Sequence, residues 1–349
     1  MQCVTPLIRY YKVGDSKNGK ILRRSEVEQQ LENDENYYRF CERKNKTPGN
    51  VYVHQCIPCG HCWSCKLNYS AQWATRIMAE VKESEHNYFI TLTYDDEHIP
   101  IAETLEYNGN IYENDGTWSG TLYEKDTQTF LNSLRKHFER KGNTGIKYYY
   151  CGEYGTETLR PHYHMILMNC PLNLTQFYGT HVDKNYKAHW KSHEIEKYWT
   201  KGMIDICEVE WSCAAYVARY CMKKISDKVD KMDYINIGKV PEFVRMSRRP
   251  GIGAKYYEEH KDEIYKNDGI IMRTIKGNVG NIKPPKAWDK KLKEENPELY
   301  KKIKKSREKA RERADKLTAE ITDYTDKQKE RLKQEKITEK GKMLPRGDM

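Results

Sequence analysis

Residues 146–169 read IKYYYCGEYGTETLRPHYHMILMN and decide the fold of this chain. Two runs rich in aromatic and aliphatic residues, IKYYYCGEYG and PHYHMILMN, are joined by the short polar segment TETLR. Runs of this composition favour extended backbone, and a short polar connection brings two strands side by side. The stretch therefore predicts an antiparallel β-hairpin.

The segments around the hairpin predict one further strand and two helices. Alternation in NYFITLT, residues 87–93, predicts a buried strand, and apolar residues at helical spacing in TQTFLNSLRKHFERKG predict a helix that Gly142 ends. Residues 211–230, WSCAAYVARYCMKKISDKVD, predict a second helix. The order strand, helix, hairpin, helix is typical of a compact α+β domain with an antiparallel core.

Two histidines separated by one residue, His162 and His164, lie on the second strand of the predicted hairpin. Side chains alternate between the faces of a strand, so both imidazoles point the same way and can share a cation. If the hairpin turns through TETLR, Glu153 falls nearly opposite His162. Two nitrogens and one carboxylate oxygen suit Mn²⁺ or Mg²⁺ as a Lewis acid, and zinc fits the same ligands. A histidine pair on a strand can equally be structural.

A candidate nucleophile pair follows on the second predicted helix. Tyr216 and Tyr220 are four residues apart and therefore share a face, and Lys223 and Lys224 lie within a turn of Tyr220. A phenol titrates near 10, so it attacks well at neutral pH only when a neighbouring ammonium stabilises its anion or a metal polarises the phosphate. The alternative is an amphipathic helix that buries two tyrosine rings.

Taken together, these elements resemble a known family. FITLTYDD, RPHYH and YVARYCMKK are similar to the three motifs of the HUH endonucleases, which start rolling-circle replication. The resemblance is closer to the replication initiators of Microviridae phages, gokushovirus type, because PCGHCWSCK at 58–66, QWA at 72–74 and MSRRPGIG at 246–253 are also similar. It covers about residues 56–255.

The resemblance implies a fold and a set of site residues. The fold is a four- or five-stranded antiparallel sheet flanked by helices. His162 and His164 hold a catalytic Mg²⁺ or Mn²⁺, with Glu153 as the third ligand. The nucleophiles are Tyr216 and Tyr220, with Lys223 as the helper residue.

It also implies a reaction and partners. One tyrosine attacks single-stranded origin DNA, forms a 5′-phosphotyrosine and releases a 3′-OH that primes a host polymerase. The second tyrosine allows strand transfer and ligation to close the phage genome into a circle. Expected partners are origin DNA and the host helicase and polymerase, in the cytoplasm of the bacterial host.

Four cysteines lie within ten residues, Cys56, Cys59, Cys62 and Cys65. Such crowding suits metal binding more than disulfides, but a run at this spacing cannot easily wrap all four thiolates around one tetrahedral ion. Cys3 is the attractive outside ligand in the family, which predicts a structural zinc on Cys3, Cys59, Cys62 and Cys65 with Cys56 as a substitute. An iron–sulfur cluster and metal-free thiols are the alternatives.

The chain has 349 residues and a formal net charge of +10, which favours polyanionic partners. Residues 301–349 hold 17 Lys or Arg and 10 Asp or Glu, so most of the excess lies in this tail. We expect Arg219, Lys224, Arg248 and Arg249 to contact DNA. No apolar run approaches the roughly 18 residues of a spanning helix, and the first residues lack the pattern of a signal peptide.

These features predict four segments. Residues 1–85 carry the Cys-rich zinc element and the helix after it, residues 86–230 form the catalytic domain, residues 231–290 form an extension with the SRRPGIG loop, and residues 291–349 form a charged helical or disordered tail. Two other functions fit the same residues. One is a non-catalytic, zinc-containing nucleic-acid-binding protein, and the other is a plasmid initiator or relaxase with the same chemistry.

Overall fold

The structure is a computed structural model that describes residues 7–12, 20–22, 52–60, 62–183, 186–223, 231–273 and 279–321, with positions 332, 335, 336 and 339 beyond them. The chain divides into two compact units, Met1–Asn68 with Asp323–Leu344, and Tyr69–Thr322 with Pro345–Met349. The predicted four-segment division stays a prediction.

The strands within the described ranges are β1 (Leu7–Lys12), β2 (Lys20–Leu22), β3 (Tyr52–Ile57), β4 (Asn87–Thr93), β5 (Thr104–Tyr107), β6 (Asn110–Glu113), β7 (Lys147–Tyr154), β8 (Pro161–Met168), β9 (Phe177–Val182), β10 (Ala188–Ser192), β11 (Ile204–Glu208), β12 (Phe243–Met246), β13 (Ile270–Arg273) and β14 (Val279–Ile282). The helices there are α1 (Trp63–Lys82), α2 (Glu124–Arg140), α3 (His193–Glu196), α4 (Trp211–Lys223), α5 (Lys231–Asn236), α6 (Ala254–Lys266), α7 (Lys286–Glu295) and α8 (Pro297–Ile321).

The first unit contains a three-stranded antiparallel sheet in the order β2-β1-β3. Its longest pairing joins β1 to β3, from Leu7 opposite Ile57 to Lys12 opposite Tyr52. Helix α1 begins in this unit at Trp63, within the cysteine run. The helix predicted to follow the cysteines is therefore present, and it starts before the last of them.

The second unit is built on a seven-stranded antiparallel sheet in the order β12-β7-β8-β4-β11-β10-β9. The predicted hairpin is confirmed as β7 and β8, with Glu153 opposite His162. The predicted α+β class with an antiparallel sheet is confirmed as well. The sheet has more strands than the four or five expected, because β9, β10 and β12 extend it at both edges.

Strand β8 lies inside the sheet, and its side chains alternate between two different environments. Tyr163, Met165 and Leu167 belong to one hydrophobic core, whereas His162 and His164 face the other side. Helix α2 covers the first side with its apolar stripe, which contains Phe130, Leu131, Leu134 and Phe138. The alternation thus separates a packed face from a face that carries polar groups.

Helices α1 and α4 cover the histidine side. Ile77 of α1 and Ala214 and Val217 of α4 pack in a second core with Ile166 of β8. Ser70 donates a hydrogen bond of 3.1 Å to the carbonyl oxygen of Ala215, which ties the two helices together. Helix α4 is therefore held directly above the histidines.

The chain after β12 adds a third core from α6, α7, α8 and the β13–β14 hairpin, which includes Tyr257, Trp288 and Ile303. The basic helix α8 is fastened to it, because Arg307 forms ion pairs with Asp268 and Asp289. Part of the charged tail is therefore a packed helix. Among the described helices, none combines the length and apolar character required to cross a membrane.

Candidate active site

The predicted cation ligands meet across the β7–β8 hairpin. Oε1 of Glu153 lies 3.0 Å from Nε2 of His162 and 2.8 Å from Nε2 of His164. The candidate ligand atoms of the three residues all lie within 4.8 Å of one another. The structure therefore brings together the three residues that the sequence assigns to the cation.

Glu153 is 1% exposed, and its charge depends on its neighbours. Burial acts to raise the pKa of the carboxyl group, but hydrogen bonds from His162 and His164 and their charges outweigh burial and hold the pKa far below its usual range. Oε1 accepts these bonds, whereas Oε2 is buried and has no hydrogen-bond partner within the described residues. A buried carboxylate oxygen without a partner is costly, and a bound cation would satisfy it.

The two imidazoles sit in different environments. Burial lowers the pKa of His162, but the hydrogen bond and charge of Glu153 overcome it and the net pKa is raised. At His164, which is 3% exposed, burial dominates and lowers the pKa. His164 is therefore held in the neutral form that binds metals.

Helix α4 places Tyr216 on this group. Its hydroxyl donates a hydrogen bond of 2.9 Å to Oε1 of Glu153. Its ring meets that of His164 edge-on, with 5.2 Å between the centroids, and the side chain is 1% exposed. The guanidinium carbon of Arg219 lies 5.5 Å from the centroid of the Tyr216 ring. A phenol, two imidazoles and a carboxylate thus form one cluster with a cationic side chain beside it.

The remaining residues predicted on this helix are only partly described. Tyr220 and Lys223 belong to the last turn of α4, but their side chains lie outside the described part of the structure, and Lys224 lies outside it altogether. Helical geometry places Tyr220 one turn beyond Tyr216 on the same face. Their roles stay predictions.

The structure gathers three of the predicted zinc ligands. The thiols of Cys59, Cys62 and Cys65 lie within 4.8 Å of one another, and the Cys62 amide donates to Sγ of Cys59 at 3.3 Å. Cys3 and the side chain of Cys56 lie outside the described residues. Three converging thiols suit a soft-ligand metal such as zinc, and the prediction of a structural zinc stands as a prediction.

Arg248 and Arg249 lie away from the histidines. They line a cavity of about 650 Å³ with Arg135 of α2 and Arg245 of β12. Arg245 pairs with Tyr150, whose ring belongs to the core under α2, so this cavity lies on the α2 side of the sheet. The structure does not bring the two arginines together with Tyr216, and contact with DNA at this cavity stays a prediction.

The glycines after these arginines serve packing. The Gly253 amide donates a hydrogen bond of 2.7 Å to Oε2 of Glu80, and Arg76 donates one of 3.0 Å to the carbonyl oxygen of Ile252. Gly253 has φ +74°, and a Cβ there would lie 3.0 Å from the carbonyl oxygen of Arg76. Glycine is required because the loop folds closely onto α1, whereas the sequence suggested an approach to phosphate.

The sequence analysis missed three residues that support the site. Thr91 shares a hydrogen bond of 3.0 Å between its hydroxyl and Nδ1 of His164, and the charge of buried Glu242 acts on His162. Arg160 donates to the carbonyl oxygen of Tyr94 and to Asp96, both at 2.7 Å, and so fixes the start of β8. Only the register of β4 against β8 reveals Thr91, which lies directly opposite His164.

Comparison with known proteins gives one family. A sequence model of the family of replication-associated protein ORF2 matches residues 87–225. The replication-associated protein ORF2 of Spiroplasma virus 4 is 37% identical over 317 residues, which cover 90% of this chain and 88% of that protein.

Two further relatives carry similar descriptions. The replication-associated protein VP4 of Bdellovibrio phage phiMH2K is 28% identical over 250 residues, which cover 70% of this chain and 70% of that protein. The replication-associated protein ORF4 of Chlamydia phage 1 is 26% identical over 170 residues, or 48% of this chain and 38% of that protein. No solved structure matches the chain.

Proposed function

The chain belongs to the family of phage replication-associated proteins, and on that premise we propose that it starts replication by nicking single-stranded origin DNA with a tyrosine. One observation carries the proposal. The Tyr216 hydroxyl donates to the carboxylate oxygen that His162 and His164 also contact. This arrangement unites a nucleophile with a cation site, which a protein that only binds nucleic acid does not need.

The ligand set fits a divalent cation. Two imidazole nitrogens and the carboxylate of Glu153 lie within reach of one ion, and the buried Oε2 of Glu153 offers a further oxygen. Mg²⁺ or Mn²⁺ suits a set that keeps positions open for water and phosphate. When bound there, such an ion polarises a phosphate and stabilises the charge that develops on it.

The reaction is a transesterification at phosphorus. The phenolic oxygen forms a bond to the phosphorus, and the bond from phosphorus to the 3′ oxygen breaks. The proton lost by the phenol is balanced by the proton that the 3′ oxygen gains, so the products are a 5′-phosphotyrosine and a free 3′-OH. One phosphoester replaces another, and no nucleotide cofactor is consumed.

The surroundings of Tyr216 orient this attack. Glu153 holds the phenolic proton in the resting state, and the edge-on contact with His164 fixes the ring. The His162 side chain is 18% exposed and that of His164 is 3% exposed, so the scissile phosphate approaches from the His162 side. The charge of Arg219 beside the ring favours an anionic substrate.

A second nucleophile completes the cycle. Tyr220 lies one turn along α4 and attacks the origin when it is regenerated, while the first 5′-phosphotyrosine is resolved by a new 3′-OH. This second transfer closes the displaced strand into a circle. A host polymerase extends the first 3′-OH and a host helicase opens the duplex ahead of it.

Nicking of phage DNA tests the proposal. Purified full-length protein is mixed with end-labelled single-stranded oligonucleotides that tile the phage genome, with Mg²⁺, Mn²⁺ or chelator. We expect cleavage at one site, only with the cation, and protein attached to the 5′ fragment. Binding without cleavage under every condition would contradict it and would favour a non-catalytic DNA-binding protein.

A further inference from the structure

A second group of histidines lies at the edge of the sheet. His181 on β9 is paired in register with His189 on β10, and their rings stack with 4.9 Å between the centroids. Asp205 on the adjacent strand β11 completes a set whose ligand atoms lie within 4.8 Å of one another. We propose that His181, His189 and Asp205 form a zinc site separate from the catalytic cluster.

The surroundings of His189 call for a cation. The residue is 7% exposed, Nδ1 lies 2.6 Å from Oδ2 of Asp205, and Nε2 lies 3.8 Å from Oδ2 of Asp183. Nε2 is buried and has no hydrogen-bond partner among the described residues. A neutral imidazole has one N–H, but this ring faces a carboxylate with each nitrogen. One proton cannot satisfy both sides.

A metal satisfies the ring better than a second proton does. Protonated Nε2–H would still lie 3.8 Å from Asp183, which is too long for a hydrogen bond. Zinc on one nitrogen and a proton on the other supply a cation to one carboxylate and a donor to the other. Histidines that bind zinc commonly give their second N–H to a carboxylate in this way. Two imidazoles and a carboxylate are an ordinary zinc donor set.

The edge site is distinct from the catalytic cluster but lies on the same face. Asp205 pairs with Thr91, which pairs with His164, so the three side chains point to one side of the sheet. His189 is three strands from His164, and three spacings of about 4.8 Å separate the sites by roughly 14 Å. Zinc at this position would fasten the outermost strands β9 and β10 to β11.

Histidine modification gives a readout for this site that does not use nicking. Metal-stripped full-length protein is treated with diethyl pyrocarbonate, with and without Zn²⁺, and modification of exposed His181 is followed by peptide mass spectrometry. We expect Zn²⁺ to slow modification of His181 at least tenfold. Exposed His86, outside every candidate cluster in the described residues, is the internal control and should be unaffected.

Two variants separate a built site from adventitious binding. Asp205→Asn should abolish the protection of His181, and His181→Ala, at an exposed position, should bind one equivalent of zinc fewer than the wild type. Equal protection of His86 and His181 would identify an adventitious ion only and overturn the proposal. Protection that persists in Asp205→Asn, or unchanged zinc content in His181→Ala, would overturn it as well.

Discussion

The sheet carries two histidine clusters on one face, and they differ in what covers them. At the centre, His162 and His164 lie under helix α4, which adds the Tyr216 hydroxyl. At the edge, His181 is exposed, and no tyrosine hydroxyl reaches the cluster in the contacts that the structure describes. The donor atoms are similar, but the central cluster alone is joined to a nucleophile.

The difference shows that a ligand set does not by itself define an active site. Helix α4 packs on the sheet through Ala214 and Val217, and this packing carries Tyr216 to Glu153. The edge strands have no such helix in the described contacts, so their histidines can hold an ion but have no phenol to activate. We therefore assign chemistry to the centre and attachment of edge strands to the periphery.

Removing both phenols tests the central cluster with the largest expected effect. Tyr216→Phe with Tyr220→Phe should abolish the covalent DNA adduct, because each change removes only the attacking oxygen and keeps the ring. The two single variants should differ, since Tyr216 also bonds Glu153. The readout is adduct formation on a denaturing gel, with DNA binding as the control. An active double variant would refute the nucleophile assignment.

Removing one histidine from each cluster compares the sites directly. His162→Ala should lower the nicking rate by about 100-fold or more at a fixed Mn²⁺ concentration, because a direct ligand matters at least as much as the outer-shell residues that cost 10–100-fold. His181→Ala should lower it far less. His86→Ala is the matched control for loss of an exposed imidazole. Equal losses in His162→Ala and His181→Ala would erase the proposed distinction.

A smaller effect is expected at Thr91. Thr91→Val keeps the shape but removes the hydroxyl 3.0 Å from Nδ1 of His164. The Mn²⁺ concentration for half-maximal nicking should rise by about tenfold, while the rate at saturating Mn²⁺ recovers. Thr93→Val is the matched control, because the Thr93 hydroxyl donates to the carbonyl oxygen of Met203. Equal shifts in the two variants would count against a role for Thr91.

The smallest effect on nicking is expected on the other face of β8. The Tyr163 hydroxyl donates to the carbonyl oxygen of Tyr123 at 3.0 Å and accepts from the Tyr123 amide at 2.8 Å. Tyr163→Phe should lower the free energy of unfolding by about 1–3 kcal/mol, because a buried amide loses its acceptor. Urea unfolding measures the loss, and nicking should persist below the transition. Lost nicking with unchanged stability would contradict this separation of faces.

The central cluster could be predicted because its information is local. Strand alternation places His162 and His164 on one face, and the short connection sets the register that brings Glu153 opposite His162. Tyr216 came from the family resemblance, since periodicity alone reads α4 as an amphipathic helix. The helix over residues 127–142 was also predictable and is confirmed within Glu124–Arg140.

The edge cluster could not be predicted because its contacts depend on the order of strands. His181 and His189 belong to different strands, and only the β9–β10 register stacks their rings. Asp205 joins them because β11 lies beside β10, which no spacing in the sequence reveals. The contacts of Thr91 with His164 and of Glu242 near His162 likewise require the assembled sheet.

The central claim is tested most directly by locating the DNA-linked residue. Full-length protein is reacted with origin oligonucleotide and Mn²⁺, and the adduct is digested with nuclease and trypsin for peptide mass spectrometry. Cleavage after Arg219 places Tyr216 and Tyr220 on separate peptides. We predict a 5′-linked nucleotide on one of these two tyrosines. A nicked product without any adduct, or a nucleotide on another residue, would contradict the account.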